Sequence, residues 1–370
     1  MNKFRFLTSG ESHGICLNAI IEGLPSHVNT DIDFINEQLA RRQKGYGRGG
    51  RMQIETDKAK ILSGVRFGKT TGAPVCIEII NKDWENWQIP MSVHELDFKN
   101  PDIIQAVNSK KITNVRPGHA DLAGATKYNQ NDVRDILERS SARETATRVA
   151  VGAVAMCLLK EFGVTVSSKI IQIGNAFDEE NMRKEIDNAK ENGDTLGGKF
   201  QIAFKNLPVG LGSFVNWDRR IDGILAQALM SIPAIKAVEV GAGCEAAFLN
   251  GSQMHDEIFY ENGKYTRKTN NAGGIEGGMT NGEDVVLTVT MKAIPTMKKP
   301  LNSVDIATKQ PYCAHFERSD TCAVEACSVV GEAMCAIVFA DEMLQKFGSD
   351  SLEEMKCNYN NYINIESTDK

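Results

Sequence analysis

Two histidines lie on short turns that are rich in glycine, where a side chain can take part in proton transfer. His13 belongs to the sequence GESHG at residues 10–14, and His119 belongs to RPGHAD at residues 116–121. Histidine is the side chain whose unperturbed pKa allows it to exchange protons near neutral pH. Because a histidine on a turn is more often simply hydrated, either motif alone is weak evidence for acid–base catalysis.

A second candidate site is the basic loop at residues 41–51, RRQKGYGRGGR, in which five cations alternate with four glycines. Glycine lets the backbone approach a ligand closely, and arginine binds carboxylate and phosphate groups through two parallel hydrogen bonds. One interpretation is an RGG-like segment that binds RNA, but such segments are long and repeated. A loop that holds a small, highly charged substrate fits a single short segment better.

The segment at residues 139–148 carries three arginines, Arg139, Arg143 and Arg148, in front of a long apolar sequence that predicts a buried helix. Ser141 and Glu144 have the spacing of a capping box at the helix start. Cations are disfavoured at a helix N-terminus unless an anion compensates them. The segment therefore predicts either a bound anion such as phosphate or a structural network of arginine and glutamate, and we give the two equal weight.

The densest glycine run, NNAGGIEGGMTNG at residues 270–282, leads into a predicted strand at 285–291. Because no helix follows, the run is neither a Rossmann fingerprint nor a phosphate-binding loop. It indicates backbone that packs closely against a flat ligand. Lys292 follows the strand, where its side chain could reach a phosphate.

A metal site is the alternative suggested by the cysteines near the C-terminal helix. The candidate ligands are Cys313, His315, Cys322 and Cys327. Their spacing contains no pair of cysteines separated by two residues, and Cys322 and Cys327 lie among small apolar residues where cysteine behaves as a hydrophobic side chain. We therefore predict no metal.

Composition excludes several classes of protein. The chain has 370 residues, of which 42% are hydrophobic and 24% charged, and its net charge of −6 gives no general attraction to nucleic acid or anionic membranes. It contains no apolar run of a signal peptide or a membrane span, so we expect a cytoplasmic protein. Nine cysteines without paired spacing indicate reduced thiols.

The periodicity of the chain predicts one intertwined α+β domain over residues 1–357, with no internal repeat and no linker. The irregular polar stretch at 82–113 is typical of a lid or an active-site wall, and residues 358–370 are expected to form a frayed polar tail. The predicted strands are at 4–9, 54–80, 164–166, 200–204, 238–240 and 285–291. The predicted helices are at 31–42, 141–163, 221–232 and 323–347.

In combination, these motifs closely resemble the chorismate synthase family. Each motif is weak by itself, but five in the family's order and spacing cover nearly the whole chain. They are GESHG at 10–14 with EGLP at 22–25, RPGHAD at 116–121, RSSARETATRVA at 139–150, GGIEGGM at 273–279 and RSD at 318–320.

The resemblance implies a lyase with a single α+β sandwich domain, in which helices pack between β-sheets, and a homotetramer. It implies an anti-1,4-elimination of phosphate from 5-enolpyruvylshikimate 3-phosphate to give chorismate, in the shikimate pathway of aromatic amino acid biosynthesis. The family requires reduced FMN although the reaction has no net redox change. Whether the chain would reduce its own FMN with NADPH or receive it reduced stays open, since no dinucleotide fingerprint is visible.

The resemblance also implies roles for individual residues. His13 matches a histidine that protonates the departing phosphate, His119 one that stabilises the charge of the reduced flavin, and Asp320 with Ser12 a relay near flavin N5, which takes the substrate proton. The residues implied for the substrate's anions are Arg42, Arg48, Arg51, Arg116, Arg134 and Arg143. Those implied for the flavin are Arg139, Ser140, Ser141, Pro233, Ala234, Gly277, Lys292, Ala293, Ile294, Pro295, Thr296 and Arg318.

The sequence departs from the family pattern at three positions, none of which transfers protons. Ala293 and Thr321 stand where the family usually has proline, and Cys244 stands where phenylalanine is common. Two other functions were weighed: a flavin- or RNA-binding protein without catalysis, and a flavin reductase-like oxidoreductase. Both histidines and Asp320 are retained. A protein that only binds flavin or RNA would need none of them, so their presence argues against a binding protein without catalysis.

Overall fold

The structure is a computed structural model that describes residues 3–49, 56–261, 263–299, 301–314 and 319–367. Sixteen strands are present in this part of the chain. In order they are β1 Arg5–Ser9, β2 Cys16–Glu22, β3 Ala59–Ser63, β4 Val65–Arg66, β5 Lys69–Thr70, β6 Val75–Ile80, β7 Thr165–Ile173, β8 Gly198–Lys205, β9 Ile235–Val240, β10 Ile258–Glu261, β11 Lys264–Arg267, β12 Ile275–Glu276, β13 Met279–Thr280, β14 Val285–Met291, β15 Asn302–Val304 and β16 Pro311–Cys313.

Ten α-helices accompany these strands within the described ranges. They are α1 Ile32–Gln43, α2 Pro101–Asn108, α3 Asp121–Tyr128, α4 Arg134–Ser140, α5 Thr145–Lys160, α6 Glu179–Glu191, α7 Ile221–Met230, α8 Gly251–Met254, α9 Val324–Phe347 and α10 Leu352–Ser367. Short 3₁₀ helices occur at Lys82–Asn86, Ala142–Glu144, Trp217–Arg219 and Gly243–Phe248.

Two four-stranded antiparallel sheets form the outer layers of the fold. The first has the strand order β1-β2-β6-β3, and the second has the order β7-β8-β14-β9. Buried and half-buried residues alternate strictly along β14, as expected for a strand with one face on a core. The alternating pattern that predicted strands within residues 54–80 and at 285–291 is therefore confirmed.

Helices fill the space between the two sheets. Helix α5 packs on β1, β2 and β6 of the first sheet, helix α9 packs on β7 and β8 of the second, and α1 contacts both helices. One hydrophobic cluster extends from Phe4 to Met355 and includes Phe204 and Phe339, whose ring centroids are 4.7 Å apart. The predicted α+β sandwich with helices between sheets is confirmed.

The two central helices approach each other closely at Gly152 in α5. A Cβ atom at this position would lie 2.5 Å from the Cα atom and 2.7 Å from the carbonyl oxygen of Ala333 in α9. Atoms of a core cannot approach that closely, so glycine is the residue that this helix crossing accepts. The junction matters for function because the N-terminal ends of α5 and α9 both reach the candidate site.

The capping-box prediction is only half right. The hydroxyl of Ser141 accepts from the backbone N–H of Arg143 at 3.3 Å, which caps the 3₁₀ turn, and α5 itself begins at Thr145. The carboxylate of Glu144 binds Arg148 at 2.9 Å instead of reaching back to Ser141. Arg148 lies one helical turn after Glu144 on the same face and competes for the carboxylate.

Two further predictions need correction. The stretch at 82–113 was expected to be irregular, but it contains the 3₁₀ helix Lys82–Asn86 and helix α2. Residues 358–367 were expected to belong to a frayed tail, yet they continue helix α10. The side chain of Asn358 donates to the carbonyl oxygen of Phe347 at 2.9 Å, which ties this helix to the end of α9.

Candidate active site

A cavity of about 410 Å³ opens where α1, the α4–α5 junction, the end of β14 and the start of α9 meet. Its wall brings together most of the residues that the sequence suggested, from four of the five motifs and from segments near residues 42–48, 233 and 292–296; the motif at 273–279 contributes none. The charged and histidine side chains in the wall are Arg42, Arg48, Arg116, Arg143, Lys292, Asp320, His13 and His119. The other predicted residues in the wall are Ser12, Ser140, Ser141, Pro233, Ala234, Ile294, Pro295 and Thr296.

Arg42 and Arg143 form the buried floor of the cavity around Asp57. Arg143 Nη1 donates to Asp57 Oδ1 at 2.6 Å, and Arg42 Nη1 lies 3.5 Å from Asp57 Oδ2. Burial lowers the pKa of Arg42 to about 10, with Asp57 opposing this shift and the neighbouring arginines adding to it. One carboxylate thus faces two buried guanidinium groups, an arrangement that an added anion would stabilise.

His13 is held on three sides in the opposite wall. Its Nδ1 lies 2.9 Å from Oε1 of Glu138, its backbone N–H donates to Oε2 of the same carboxylate at 2.7 Å, and its ring stacks on Trp87 at 4.0 Å. Nε2 makes no hydrogen bond to any residue in the described ranges. This nitrogen remains for a ligand in the cavity.

His119 is linked to a second buried carboxylate, Asp121. Arg116 donates to both oxygens of Asp121, at 2.8 and 2.9 Å, and Nδ1 of His119 makes a short contact with Oδ1. Although burial alone would raise it, the pKa of Asp121 is held well below its usual range by hydrogen bonds from His119 and Arg116. Asp121 therefore fixes the orientation of both side chains at the cavity.

Arg48 and Asp320 form an ion pair at the cavity mouth. Arg48 Nη1 lies 2.8 Å from Asp320 Oδ2, and the backbone N–H of Gly49 donates to Asp320 Oδ1 at 2.6 Å. Thr321 donates its backbone N–H to the carbonyl oxygen of Gly47 at 2.8 Å. A proline at position 321 has no N–H and could not make this bond. Thr321, which stands where the family usually has proline, therefore connects the basic loop to the segment before α9.

The remaining wall is apolar, as expected for a surface that contacts a flat ring. Ile232, Pro233, Met291 and Val330 contribute apolar surface. The hydroxyl oxygen of Ser140 is buried and has no hydrogen-bond partner among the described residues, so it can bind a ligand atom. The residues present therefore fit a flavin.

Lys292 extends into the cavity beside Gly118, whose carbonyl oxygen accepts from its Nζ at 2.5 Å. Burial and the nearby charge of Lys236 lower the pKa of Lys292. A phosphate in this position would relieve both effects, because it would compensate the ammonium charge.

Several predicted residues lie outside the cavity wall. Arg139 donates to the carbonyl oxygens of Thr8 and Gly10 in and after β1, and Gly277 lies in the β12–β13 turn. Arg134 binds Glu138 at 3.2 Å behind His13. Ala293 is in the chain between two lining residues but is not in the wall itself. Arg51 and Arg318 fall outside the described residues.

Three residues of the site were missed from the sequence: Asp57, Glu138 and Trp87. Asp57 and Trp87 are far along the chain from Arg143 and His13, which they contact, and Glu138 directly precedes the arginine motif without a glycine to mark it. Glu138 has one available signal, which is its position four residues after Arg134 on a helix. The polar stretch at 82–113 contributes no residue to the cavity wall; it reaches the site through Trp87, whose ring stacks on His13 at 4.0 Å.

Of the cysteines considered as metal ligands, Cys322 and Cys327 are buried and Cys313 is exposed. Burial raises the pKa of the Cys322 thiol to about 11 and that of Cys327 to about 12, so both stay protonated. In the described ranges no three His, Cys, Asp or Glu side chains are grouped as a metal site would require, and His315 lies outside them. None of the helices in the described part of the chain is both long and apolar enough to cross a bilayer.

The cavity is large enough for a small molecule, and its cationic side chains favour one that carries negative charge. The family model described as "Chorismate synthase" matches residues 4–344. Proteins named chorismate synthase from Thermoanaerobacter pseudethanolicus and Caldanaerobacter subterraneus subsp. tengcongensis are 57% and 56% identical over 360 residues, covering 97% of this chain and 98% of each relative. A solved structure titled "Crystal Structure of Chorismate Synthase" superposes with a TM-score of 0.78 at 42% identity and covers 99% of both chains.

The chain belongs to the chorismate synthase family, and its members are lyases. The resemblance found from the five motifs is thereby confirmed.

Proposed function

We propose that this protein converts 5-enolpyruvylshikimate 3-phosphate to chorismate by anti-1,4-elimination of phosphate, with reduced FMN as cofactor. The observation that carries the proposal is the charge of the cavity. Among the described residues, five cationic side chains line it and three carboxylates contact them, Asp320 in the wall and Asp57 and Asp121 behind it, so positive charge is left over. A substrate with one phosphate and two carboxylates would supply the missing negative charge.

In the proposed reaction, arginines hold the substrate while two histidines handle charge and protons. Arg42, Arg48 and Arg143 would bind the anionic groups. Nε2 of His13 would donate a proton to the departing phosphate, so that the leaving group carries less charge. The C–O bond to phosphate and a ring C–H bond break, and the electrons of the C–H bond become part of the new conjugated diene.

The proton lost from the ring requires an acceptor. Asp320 and Ser12 line the cavity and would relay this proton away from the substrate. His119, held by Asp121, would balance the charge of the reduced flavin. Ser140, Ser141 and Lys292 would hold the cofactor, which supplies electron density to the reacting ring when it is bound.

Anaerobic turnover tests the proposal. The protein is mixed with the substrate and dithionite-reduced FMN, and chorismate and inorganic phosphate are measured. We expect equal amounts of the two products, and none when FMN is left oxidised. Phosphate release without chorismate would overturn the proposal. Replacing dithionite with NADPH decides whether the chain reduces its own FMN or depends on an external source.

We further propose a cytoplasmic homotetramer. The outer face of the first sheet supports self-association, because Leu7, Ile20 and Ile80 on three adjacent strands are 70%, 50% and 60% exposed. Apolar side chains grouped on one sheet face are typical of a subunit interface. Light scattering after size-exclusion chromatography gives the mass, and a monomer at micromolar concentration would contradict the assembly.

A further inference from the structure

The environment of His13 is more elaborate than proton donation by a single imidazole requires. Glu138 is 2% exposed and receives three donors: the ring Nδ1 of His13, the backbone N–H of His13 and Nη1 of Arg134, at 2.9, 2.7 and 3.2 Å. The backbone carbonyl oxygen of Glu138 also accepts from the N–H of Ser12 at 3.0 Å. One glutamate thus holds both the side chain and the backbone of the turn that carries His13.

We infer that Glu138 is a positioning residue that fixes the tautomer of His13, so that every proton exchanged with substrate is carried by Nε2. An ionised carboxylate only accepts hydrogen bonds, and therefore Nδ1 must keep its proton to bind Glu138. This holds for the neutral ring and for the imidazolium alike. The inference rests on the proposed role of His13 as proton donor in the elimination.

Trp87 fixes the remaining freedom of the ring. The His13 ring stacks on it with an interplanar angle of 27° at 4.0 Å, which restricts rotation about the Cβ–Cγ bond. Trp87 is itself anchored by a hydrogen bond from its Nε1 to Asp83 at 3.0 Å. The charged groups Lys110 and Arg134 lie over the Trp87 ring, at 4.4 and 5.0 Å from its centroid. Glu138 therefore selects the tautomer of the His13 imidazole, and Trp87 fixes the plane in which that ring lies.

The isosteric variant Glu138→Gln separates this role from simple packing. In the native protein, Oε1 accepts from Arg134 and the ring of His13, and Oε2 accepts from the His13 backbone. An amide replaces one acceptor with an NH₂ group, so one of these donors must face another donor whichever way the amide is turned. When the amide oxygen keeps the hydrogen bond from the His13 backbone N–H, which cannot change its donor character, the NH₂ group faces Nδ1, and the neutral imidazole can relax to the tautomer with its proton on Nε2.

The first measurement is nitrogen NMR of the ligand-free protein labelled at histidine, with the His13 signals assigned from His13→Ala. In the wild type, at a pH where the ring is neutral, we expect Nδ1 to be protonated. In Glu138→Gln we expect a shift towards the Nε2–H tautomer. An unchanged tautomer in the variant would overturn the inference, regardless of any effect on activity.

The second measurement is the anaerobic single-turnover rate, together with substrate affinity by calorimetry. Glu138→Gln should slow the elimination by about tenfold or more while substrate affinity is unchanged, which is less than the loss for His13→Ala. Asp341→Asn is the matched control, since Asp341 is also a buried carboxylate that accepts backbone N–H groups, those of Lys3 and Phe4. This control should react at the wild-type rate.

The outcomes distinguish the inference from the proposed function. If His13→Ala reacts at the wild-type rate, the proposed role of His13 is wrong, and the NMR result still decides whether Glu138 sets its tautomer. If His13→Ala is slow but Glu138→Gln keeps both the native rate and the native tautomer, only the inference is overturned. Should Glu138→Gln fail to fold, Glu138→Asp retains the charge beside Arg134 but is too short to reach both His13 donors, and the same measurements apply.

Discussion

Arg48 Nη1 lies 2.8 Å from Asp320 Oδ2, which joins the side chain expected to hold a substrate anion to the carboxylate expected to relay a proton. Both side chains are largely shielded from solvent, at 12% and 20% exposure. A substrate anion would compete with Asp320 for the guanidinium group. If the proposed roles hold, substrate binding would release the carboxylate from Arg48 for proton transfer, and this pair would couple binding to the reaction.

Arg48→Ala should weaken substrate binding by about 2 kcal/mol or more, because a charge-assisted hydrogen bond is lost in a shielded site. The free energy of unfolding should change less than the binding free energy, since Asp320 keeps the hydrogen bond from the backbone N–H of Gly49 when Arg48 is lost. Calorimetric titration of substrate measures the effect. Lys184→Ala, which removes a cation exposed on α6 and paired with Glu180, is the control. Equal affinities in Arg48→Ala and the wild type would show that this loop does not hold the substrate.

Asp121→Asn should destabilise the protein by about 3 kcal/mol or more at neutral pH, because buried Arg116 loses its partner. The folded-state pKa of Asp121 is depressed, so its stabilisation is complete above the ordinary carboxyl pKa of about 3.9 and is lost as the pH falls below it. Urea unfolding at a series of pH values should show the difference between the two proteins narrowing below pH ~4. A difference in the free energy of unfolding that stays constant with pH would contradict the lowered pKa of Asp121 in the folded protein.

Two helical glycines should respond in opposite directions to alanine. Gly152→Ala places a Cβ against Ala333 at the α5–α9 crossing and should cost about 1–3 kcal/mol of stability. Gly223→Ala in α7 meets no atom within 4 Å and should stabilise by about 0.5–1 kcal/mol. Denaturant unfolding of both variants makes the comparison. Tolerance of Gly152→Ala would mean that the helices are farther apart than the structure has them.

The layered fold was largely predictable because its elements carry their own periodicity. Strand β14 alternates buried and half-buried residues, and α9 follows the apolar run at 323–347 closely. Glu144 shows the limit of this approach. Its spacing from Ser141 satisfies a local rule, but Arg148 on the next turn is an equally local competitor, and the sequence does not state which contact is stronger.

The candidate site was predictable where its reactive side chains lie in compact sequence motifs. It was not predictable where residues far away in the chain contact and orient those side chains. His13 and His119 stand out on glycine-rich turns. Asp57 and Trp87 become part of the site only after the first sheet and the stretch beyond it are folded against α5. Arg143, which contacts Asp57, and His13, which contacts Trp87, are 86 and 74 positions away in the chain, and no periodicity links residues so far apart.

His119→Ala should change the spectrum, or the pH dependence of the spectrum, of bound reduced FMN. The imidazole is held by Asp121 at the cavity wall, and its loss removes a charge-compensating group from the cofactor. Anaerobic flavin titrations of His119→Ala, His13→Ala and the wild type measure the effect. His94→Ala, on an exposed loop, serves as the surface control. A spectral change in His13→Ala and none in His119→Ala would reverse the two assignments.

The single-turnover rate of His13→Ala, at saturating substrate and reduced FMN, tests most directly whether this cavity carries out the elimination. We expect the rate to fall by about 100- to 10,000-fold, the usual contribution of a general acid, while substrate and flavin still bind and the fold is retained. Arg48 and Arg143 would hold the substrate in place, but the departing phosphate would lack its proton donor. A wild-type rate in this variant would contradict the account, because His13 would then be a buried turn residue with no part in the reaction.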